Sequence, residues 1–274
     1  MQNNEYDPKL SPDQVHVTIT KLGIKKANTR NWELLLLGLL AGIYISFGAH
    51  VYLVALDQGL NKIVGGLVFG VGLVLVVIAG AELFTGNVIM VVGALSTRYS
   101  PRLLLRNWGL VYVGNLAGAL LFAAAIYFSG LMGNAGSPSS LGQLAIAVAE
   151  KKMALPFLQS FVRGILCNIL VILAIILSYF SKDVVSKIFC CVLPIMVFVA
   201  SGFEHCVANM YFLPIGLTIK GVPLAQQWII FNNLIPVTLG NIVGGIFILV
   251  VHPNRIHQLV YLINGKKNAR DKTA

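Results

Sequence analysis

Residues 80–87 read GAELFTGN and interrupt a run of apolar residues that extends over 63–95. A second polar stretch, SGFEHCVAN at 201–209, interrupts another apolar run that covers 187–219. Each run is 33 residues long. A continuous helix of that length would measure about 50 Å, whereas the hydrocarbon core of a bilayer is about 30 Å thick. We therefore expect both helices to be broken inside a membrane.

The composition of the 274-residue chain is that of an integral membrane protein. Hydrophobic residues make up 57% of it and charged residues 11%, and its mean hydropathy is +0.81. A soluble globular domain has about 25% charged residues, so a soluble enzyme is excluded. Besides the two long runs, four apolar runs are long enough to cross a bilayer, at 32–56, 104–130, 156–180 and 226–251. The chain is predicted to be all-α, with six transmembrane helices of which the second and fifth are broken.

Lysine and arginine residues concentrate on one side of the predicted membrane. Fifteen of the twenty lie before the first span, in the second and fourth connections, or in the tail. The positive-inside rule then places both termini in the cytoplasm. The formal charge of +10 reflects topology and contact with lipid headgroups rather than nucleic acid.

This topology divides the chain into three parts. We expect a cytoplasmic N-terminal segment over 1–31 with a short amphipathic helix, a six-helix transmembrane domain over 32–252, and a basic cytoplasmic tail over 253–274. The N-terminal helix either anchors the segment at the membrane surface or acts as a gate. The connection at 131–155 is expected to form an ordered lid or vestibule.

Two motifs occur twice in the same order. G-x-E-x4-N appears at 80–87 and again 122 residues later, and N-x6-G-N appears at 107–115 and again 126 residues later. This pattern indicates an internal duplication of three spans plus three, with the second half inverted because each half has an odd number of spans. Broken helices that meet near the midplane of inverted repeats build substrate paths, and their N-terminal ends favour anions.

Polar residues inside the spans concentrate at the two breaks. Glu82 and Glu204 are the acids deepest in apolar runs, and either accept hydrogen bonds from unwound backbone N–H groups or relay protons. We favour the structural role. The structural polar residues of the breaks are then Glu82, Asn87, Glu204 and Asn209.

His205 is the intramembrane histidine that lies directly in a break. Its imidazole can donate a hydrogen bond to a small anion or transfer a proton, and histidine titrates near neutral pH. Thr85 is expected opposite it, where the hydroxyl pairs with the imidazole or an anion, or caps a half-helix. His50, inside the first span, is expected to be structural.

The sequence offers no arrangement typical of an enzyme. It has no metal-ligand cluster, no nucleophile paired with a base, and no phosphate-binding loop. The four cysteines lie inside apolar runs without the spacing of a zinc or redox site, and are expected to be small buried hydrophobes. No catalytic residue, metal or cofactor is expected.

The two breaks and their flanks resemble the formate/nitrite transporter family. The matching stretches are AELFTGN at 81–87, AEKK at 149–152, CN at 167–168, ASGFEHCVANM at 200–210 and NLIPVTLGN at 233–241. The resemblance extends over residues 20–252 and is nearer to the formate branch. It implies an aquaporin-like six-helix protomer, assembled as a homopentamer in which each protomer has its own pore for a small monovalent anion.

The resemblance also implies roles for individual residues. His205 resembles the central pore histidine, Thr85 its partner, and Asn168 the polar residue beside it. The remaining residues of the implied pathway are Lys152 as a vestibule lysine, Phe69, Leu73 and Phe84 as one side of the hydrophobic constrictions, and Phe198 as the cytoplasmic slit. Arg163 departs from the pattern, since the formate channels have an apolar residue there, and Gly86-Asn87 replaces a Ser-Thr pair.

A mechanism follows from these roles. An anion attracted by Lys152 sheds water at a ring of Phe and Leu, meets His205, and leaves past Phe198. Moving a bare anion through apolar constrictions costs many kcal/mol, so we expect pH-dependent movement of formate with a proton. The alternatives are nitrite, hydrosulfide or lactate as the anion, or an aquaglyceroporin-like pore for neutral solutes, although the Asn-Pro-Ala motifs of such pores are absent.

Overall fold

The structure is a computed structural model that describes residues 11–251. The predicted basic tail at 253–274 therefore lies outside the described residues, as do residues 1–10. The first half contains the helices α1 (Pro12–Asn28), α2 (Asn31–Asp57), α3 (Lys62–Phe69), α4 (Val71–Ala79), α5 (Phe84–Asn87), α6 (Val91–Leu95) and α7 (Pro101–Phe128), with a 3-10 turn at Val88–Met90. The second half contains a hairpin of β1 (Gly133–Asn134) and β2 (Ser137–Pro138), then α8 (Ser140–Met153), α9 (Phe157–Phe180), α10 (Val184–Ala200), α11 (Cys206–Lys220), a 3-10 helix at Leu224–Ile230, and α12 (Phe231–Val251).

Five helical stretches are long and apolar enough to cross a membrane. They are Asn31–Asp57, Lys62–Ala79, Pro101–Phe128, Phe157–Phe180 and Leu224–Val251. The remaining predicted crossing is divided between α10 and α11, which are apolar but have only 17 and 15 residues. The chain is a multi-pass membrane protein.

Both predicted helix breaks are present. In the first, α4 is followed by Gly80 with a φ of 84°, and α5 begins at Phe84 after three residues outside any helix. In the second, α10 is followed by a turn at Gly202 with a φ of 72°, and α11 begins at Cys206. Left-handed φ values suit glycine, because it has no Cβ to clash with the backbone. Each break therefore begins with a glycine turn that stops the incoming half-helix.

The two halves pack alike. Helix α2 lies along α7 in the first half, and α9 lies along α12 in the second. A Cβ at Gly118 would lie 2.0 Å from the backbone oxygen of Leu39, and one at Gly240 would lie 2.1 Å from that of Phe161. Small residues allow membrane helices to approach this closely. Each half therefore contains one pair of helices that pack closely at glycines.

The connection at 131–155 is ordered, as predicted, but it contains a helix that the sequence reading did not identify. Ser139 caps α8 by accepting a hydrogen bond from the N–H of Gly142. Helix α8 packs on α11, where a Cβ at Gly216 would meet the Cβ of Ala149 at 2.5 Å. The connection thus covers one end of the bundle.

Helix α1 packs against the protein with its apolar face. Ser11 accepts a hydrogen bond from the N–H of Gln14, whose side chain accepts one from the N–H of Ser11, so the two form a capping box. Val15 and Ile19 are buried in the main core. The apolar face of α1 is therefore buried against the helical bundle.

Candidate substrate pathway

Asn115 fixes the start of the first re-entrant half-helix. Its Oδ1 accepts a hydrogen bond from the N–H of Phe84 at 2.9 Å. Its Nδ2 donates to the backbone oxygens of Gly38 at 2.8 Å and Glu82 at 2.9 Å. The two backbone groups of the break, on Phe84 and Glu82, thus find partners on a side chain of α7, as an interruption at membrane depth requires, while the bond to Gly38 ties the break to α2.

Asn241 repeats this arrangement in the second half. Its Oδ1 accepts from the N–H of Cys206 at 2.9 Å, and its Nδ2 donates to the backbone oxygens of Gly164 at 2.8 Å and Glu204 at 2.9 Å. The last asparagine of N-x6-G-N therefore occurs twice because each broken helix needs one side chain to bridge its break.

His205 and Thr85 meet where the two breaks face each other. The Nδ1 of His205 accepts a hydrogen bond from the N–H of Ala208 at 3.1 Å, so the imidazole caps α11. In the neutral ring the proton then resides on Nε2, which lies 2.9 Å from the hydroxyl of Thr85. Both side chains are buried. The threonine hydroxyl accepts from the imidazole and keeps its own hydrogen available to donate.

Asn168 lies beside this pair without bonding to the imidazole. Its Nδ2 donates to the backbone oxygens of Thr85 at 3.3 Å and of Asn241 at 2.6 Å. Its Oδ1 is buried and has no hydrogen-bond partner within residues 11–251. The asparagine therefore links the two breaks and leaves one acceptor unused.

Lys152 forms an ion pair with Glu204 at one end of the bundle. The ammonium nitrogen lies 3.0 Å and 3.1 Å from the two carboxylate oxygens. Asn209 donates to the same carboxylate at 2.6 Å and to the Oδ1 of Asn233 at 2.8 Å. Asn233 in turn donates to the backbone oxygen of Lys152 at 2.9 Å. These four residues form one closed polar network.

Lys26 forms the corresponding ion pair with Glu82 at the other end. Its ammonium nitrogen lies 2.7 Å from the carboxylate and 3.0 Å from the Oδ1 of Asn87. Asn87 donates to Glu82 at 2.6 Å and to the Oδ1 of Asn107 at 2.8 Å, and Asn107 donates to the backbone oxygen of Lys26 at 3.2 Å. The structural role expected for these residues fits this network. The expected bonding of the glutamates to unwound backbone N–H groups was wrong, because within residues 11–251 both carboxylates accept from an ammonium group and an asparagine amide instead.

The sequence reading did not identify Lys26 as part of the site. The signal was present, since 126 residues separate Lys26 from Lys152 just as they separate Asn107 from Asn233. The lysine was overlooked because it lies before the first span, in a segment that was expected only to form a surface helix and to carry positive charge.

Two cavities enter the bundle from opposite ends. The Lys152 cavity has a volume of about 720 Å³ and is lined by Phe69, Phe198 and His205 besides Lys152 and Glu204. The Lys26 cavity has a volume of about 530 Å³ and is lined by residues of α1, α4, α5 and α9, among them Lys26, Val76, Glu82, Ile175 and Tyr179. The cavities thus approach the His205–Thr85 contact from either side.

The apolar residues of the expected constrictions are distributed differently from the prediction. The ring of Phe198 lies 5.9 Å from that of Phe69 and stacks on His205 at 5.8 Å. Phe198 therefore belongs to the Lys152 end, whereas the expected topology puts the cytoplasm at the Lys26 end, so the assignment of Phe198 to a cytoplasmic slit disagrees with that topology. Leu73 is buried on α4 between Phe69, which lines one cavity, and Val76, which lines the other.

Phe84 lies at the first break. Among the described residues, it is not one of those that line either cavity. Its ring packs edge-on against Trp108 at 6.1 Å and Tyr112 at 4.9 Å. The structure therefore gives Phe84 a packing position against α7, and does not bring it together with Phe69 and Phe198.

Comparison with known proteins assigns the family. The family model described as "Formate/nitrite transporter" matches residues 13–253. "Formate channel FocA" of Haemophilus influenzae is 39% identical over 243 residues, which are 80% of this chain and 85% of that protein. "Probable formate transporter" of Methanothermobacter thermautotrophicus is 43% identical over 233 residues, which are 78% and 84% of the two chains.

A solved structure gives the same result at the level of the fold. "Pentameric formate channel with formate bound" superposes with a TM-score of 0.71 at 36% identity, covering 85% of this chain and 98% of that one. The expected aquaporin-like fold with broken second and fifth helices is confirmed, and these relatives are channels or transporters, not enzymes. The chain belongs to the formate/nitrite transporter family.

Proposed function

We propose that this protein carries formate, together with a proton, across the cytoplasmic membrane through a pathway in each protomer of a homopentamer. Relatives named as formate channels and a formate-bound pentameric neighbour support the choice of anion and assembly. The single observation that carries the proposal is the His205–Thr85 contact, which lies between two cavities that each contain a lysine.

The lysines draw an anion into either cavity. Lys152 and Lys26 are mostly buried, with side-chain exposures of 17% and 16%, and each is paired with a glutamate. The pairing reduces the net field of each lysine, so an anion is attracted without being held tightly. Weak binding at an entrance allows the anion to leave again, as conduction requires.

The apolar residues then remove water from the anion. Phe69 and Phe198 narrow the Lys152 cavity just before His205, and Leu73 is buried between the two cavities. An unpaired anion in such surroundings costs many kcal/mol. Passage therefore needs either a hydrogen-bond donor at this point or neutralisation of the anion by a proton.

The polar contact at the break supplies the donor. Thr85 accepts from the Nε2–H of His205, so its own hydrogen is free to reach an anion that enters beside it. Protonating the Nδ1 of His205 would oppose the N–H of Ala208, which now donates to that atom. We therefore assign His205 the role of a neutral donor that orients Thr85, while the proton that accompanies formate comes from the cavity.

The charge distribution supports one orientation in the membrane. Fifteen of the twenty basic residues lie on the side of both termini, so we place the termini and the Lys26 cavity at the cytoplasm. The Lys152 cavity then opens on the opposite side. In this arrangement residues 32–252 are the channel domain, and 1–31 and 253–274 are cytoplasmic.

The test compares two histidine variants of the full-length protein in proteoliposomes. Formate flux is measured between about pH 5 and pH 8, because a flux that includes a proton depends on pH. His205→Leu is expected to abolish the flux or strongly reduce it, because Thr85 loses the donor that orients its hydroxyl. His50→Leu is the matched control. His50 lies in α2, its Nδ1 is 2.9 Å from the hydroxyl of Tyr211, and it is not among the described residues that line either cavity. Unchanged flux in His205→Leu over the whole range would refute the proposal, and competing nitrite, hydrosulfide and lactate would reveal a different preferred anion.

A further inference from the structure

The two cavities differ in the charge of their lining. Four cationic side chains and one carboxylate line the Lys152 cavity, namely Lys62, Lys151, Lys152, Arg163 and Glu204. Two cations and two carboxylates line the Lys26 cavity, namely Lys25, Lys26, Glu33 and Glu82. One entrance is therefore strongly positive, while the other is formally neutral.

Arg163 lies inside the transmembrane helix α9, whereas Lys62 is the first residue of α3, and Lys151 and Lys152 belong to α8. Arg163 is partly buried and forms no ion pair or side-chain hydrogen bond within residues 11–251. Side chains on a helix lean toward its N-terminus, which for α9 is the end near the Lys152 cavity. Arg163 is among the residues that line this cavity, and its guanidinium donors are unused within residues 11–251.

The internal repeat identifies Arg163 as a point where the symmetry is broken. Its backbone oxygen accepts a hydrogen bond from the N–H of Glu204 at 3.3 Å. Leu37, which lies 126 residues earlier, accepts the corresponding hydrogen bond from the N–H of Glu82 at 3.1 Å. Leu37 also lines its own cavity. The two positions serve the same structural role at the two breaks, so the backbone does not require an arginine at 163.

We propose that Arg163 forms a binding subsite for small planar oxyanions in the Lys152 cavity, so that anions bind more readily from that end than from the Lys26 end. A guanidinium presents parallel N–H donors that match the two oxygens of a carboxylate or nitrite, which a spherical anion cannot accept in the same way. Lys152 is less suited to this task because Glu204 already occupies its ammonium group. The subsite rests on the proposed function, since it is placed at the mouth of that pathway.

The test measures formate binding and formate conduction separately. The probe is sodium formate, with chloride as the spherical anion, on full-length protein. Binding is followed by ligand-observed NMR in detergent, and conduction in planar bilayers with formate added to one side at a time. The variants are Arg163→Leu, which copies the residue at 37, and Arg163→Lys, which keeps the charge and loses the fork. Lys220→Leu is the control, because Lys220 belongs to α11, pairs with Glu150 at the surface and does not line the cavity.

The proposal predicts a one-sided effect. Arg163→Leu should raise the half-saturating formate concentration about fivefold from the Lys152 side, as expected for the loss of about 1 kcal/mol from a partly exposed pair, and much less from the Lys26 side. Arg163→Lys should retain attraction for both anions but lose the preference for formate over chloride. Unchanged formate binding in Arg163→Leu, or an equal change in Lys220→Leu, would overturn it. If the wild-type protein carries no formate but its formate binding weakens in Arg163→Leu, the proposed function is refuted and the subsite remains supported.

Discussion

Replacing Asn241 with leucine should destabilise the protein by releasing the second helix break. Leucine has nearly the same shape as asparagine but neither donates nor accepts a hydrogen bond. The change removes the partners of the Cys206 N–H and of the Gly164 and Glu204 oxygens, all of them within 3 Å. Three backbone groups at membrane depth then lose a side-chain partner.

The size of the effect follows from these three bonds. Hydrogen bonds between membrane helices average about 0.6 kcal/mol each, and a typical intramolecular bond contributes about 1 kcal/mol. The free energy of unfolding should therefore fall by about 2–3 kcal/mol. Asn115→Leu should cost the same, because Asn115 makes the same three bonds in the first half.

The assay is unfolding of purified protein in mixed micelles with an increasing fraction of denaturing detergent. Asn232→Leu is the matched control, since Asn232 is exposed on the same helix as Asn241, and it should change stability by less than about 0.5 kcal/mol. The symmetric bridging role would be incorrect if Asn241→Leu or Asn115→Leu lowered the free energy of unfolding by less than Asn232→Leu does. It would also be incorrect if the losses in the two bridging variants differed several-fold.

Three further outcomes follow from the structure. Lys26→Gln should reduce the free energy of unfolding by about 3 kcal/mol, because it leaves Glu82 buried without its counter-ion, and Glu82→Gln in the same chain should restore part of the loss; no restoration would argue against the pair. Gly240→Ala should lower the free energy of unfolding by about 1–3 kcal/mol, because the added Cβ collides with the neighbouring backbone. Gly109→Ala has open space around it and should be neutral or stabilising by up to about 1 kcal/mol. Equal effects of the two variants in the same unfolding assay would contradict the packing. Leu73→Ala should raise formate conductance in planar bilayers by widening the barrier between the cavities, and an unchanged or lower conductance would place the barrier elsewhere.

The broken helices were predictable because their signal is local. The excess length of the two apolar runs and the repeated Glu and Asn spacing are visible within each stretch, and the structure has both breaks where these patterns fall. The N-x6-G-N motif also indicated a repeat, although its bridging role became visible only with the backbone partners of Asn115 and Asn241.

The partners of the polar residues were not predictable from local patterns. The ion pairs of Glu82 and Glu204 join residues 56 and 52 positions apart in the sequence, and hydrophobic periodicity contains no information on such distances. Helix α8 was missed because the connection begins with Gly, Ser and Pro, which are typical of loops. The position of Phe198 in the Lys152 cavity was not predictable, because a match to a motif does not say toward which cavity a ring points.

The central claim is that formate crosses the membrane through this protein, and labelled formate uptake into proteoliposomes tests it most directly. Purified wild-type protein should give uptake that saturates with formate concentration and exceeds that of protein-free liposomes, and it should carry little glycerol. Glycerol or water flux without formate uptake above that of empty liposomes would contradict the claim.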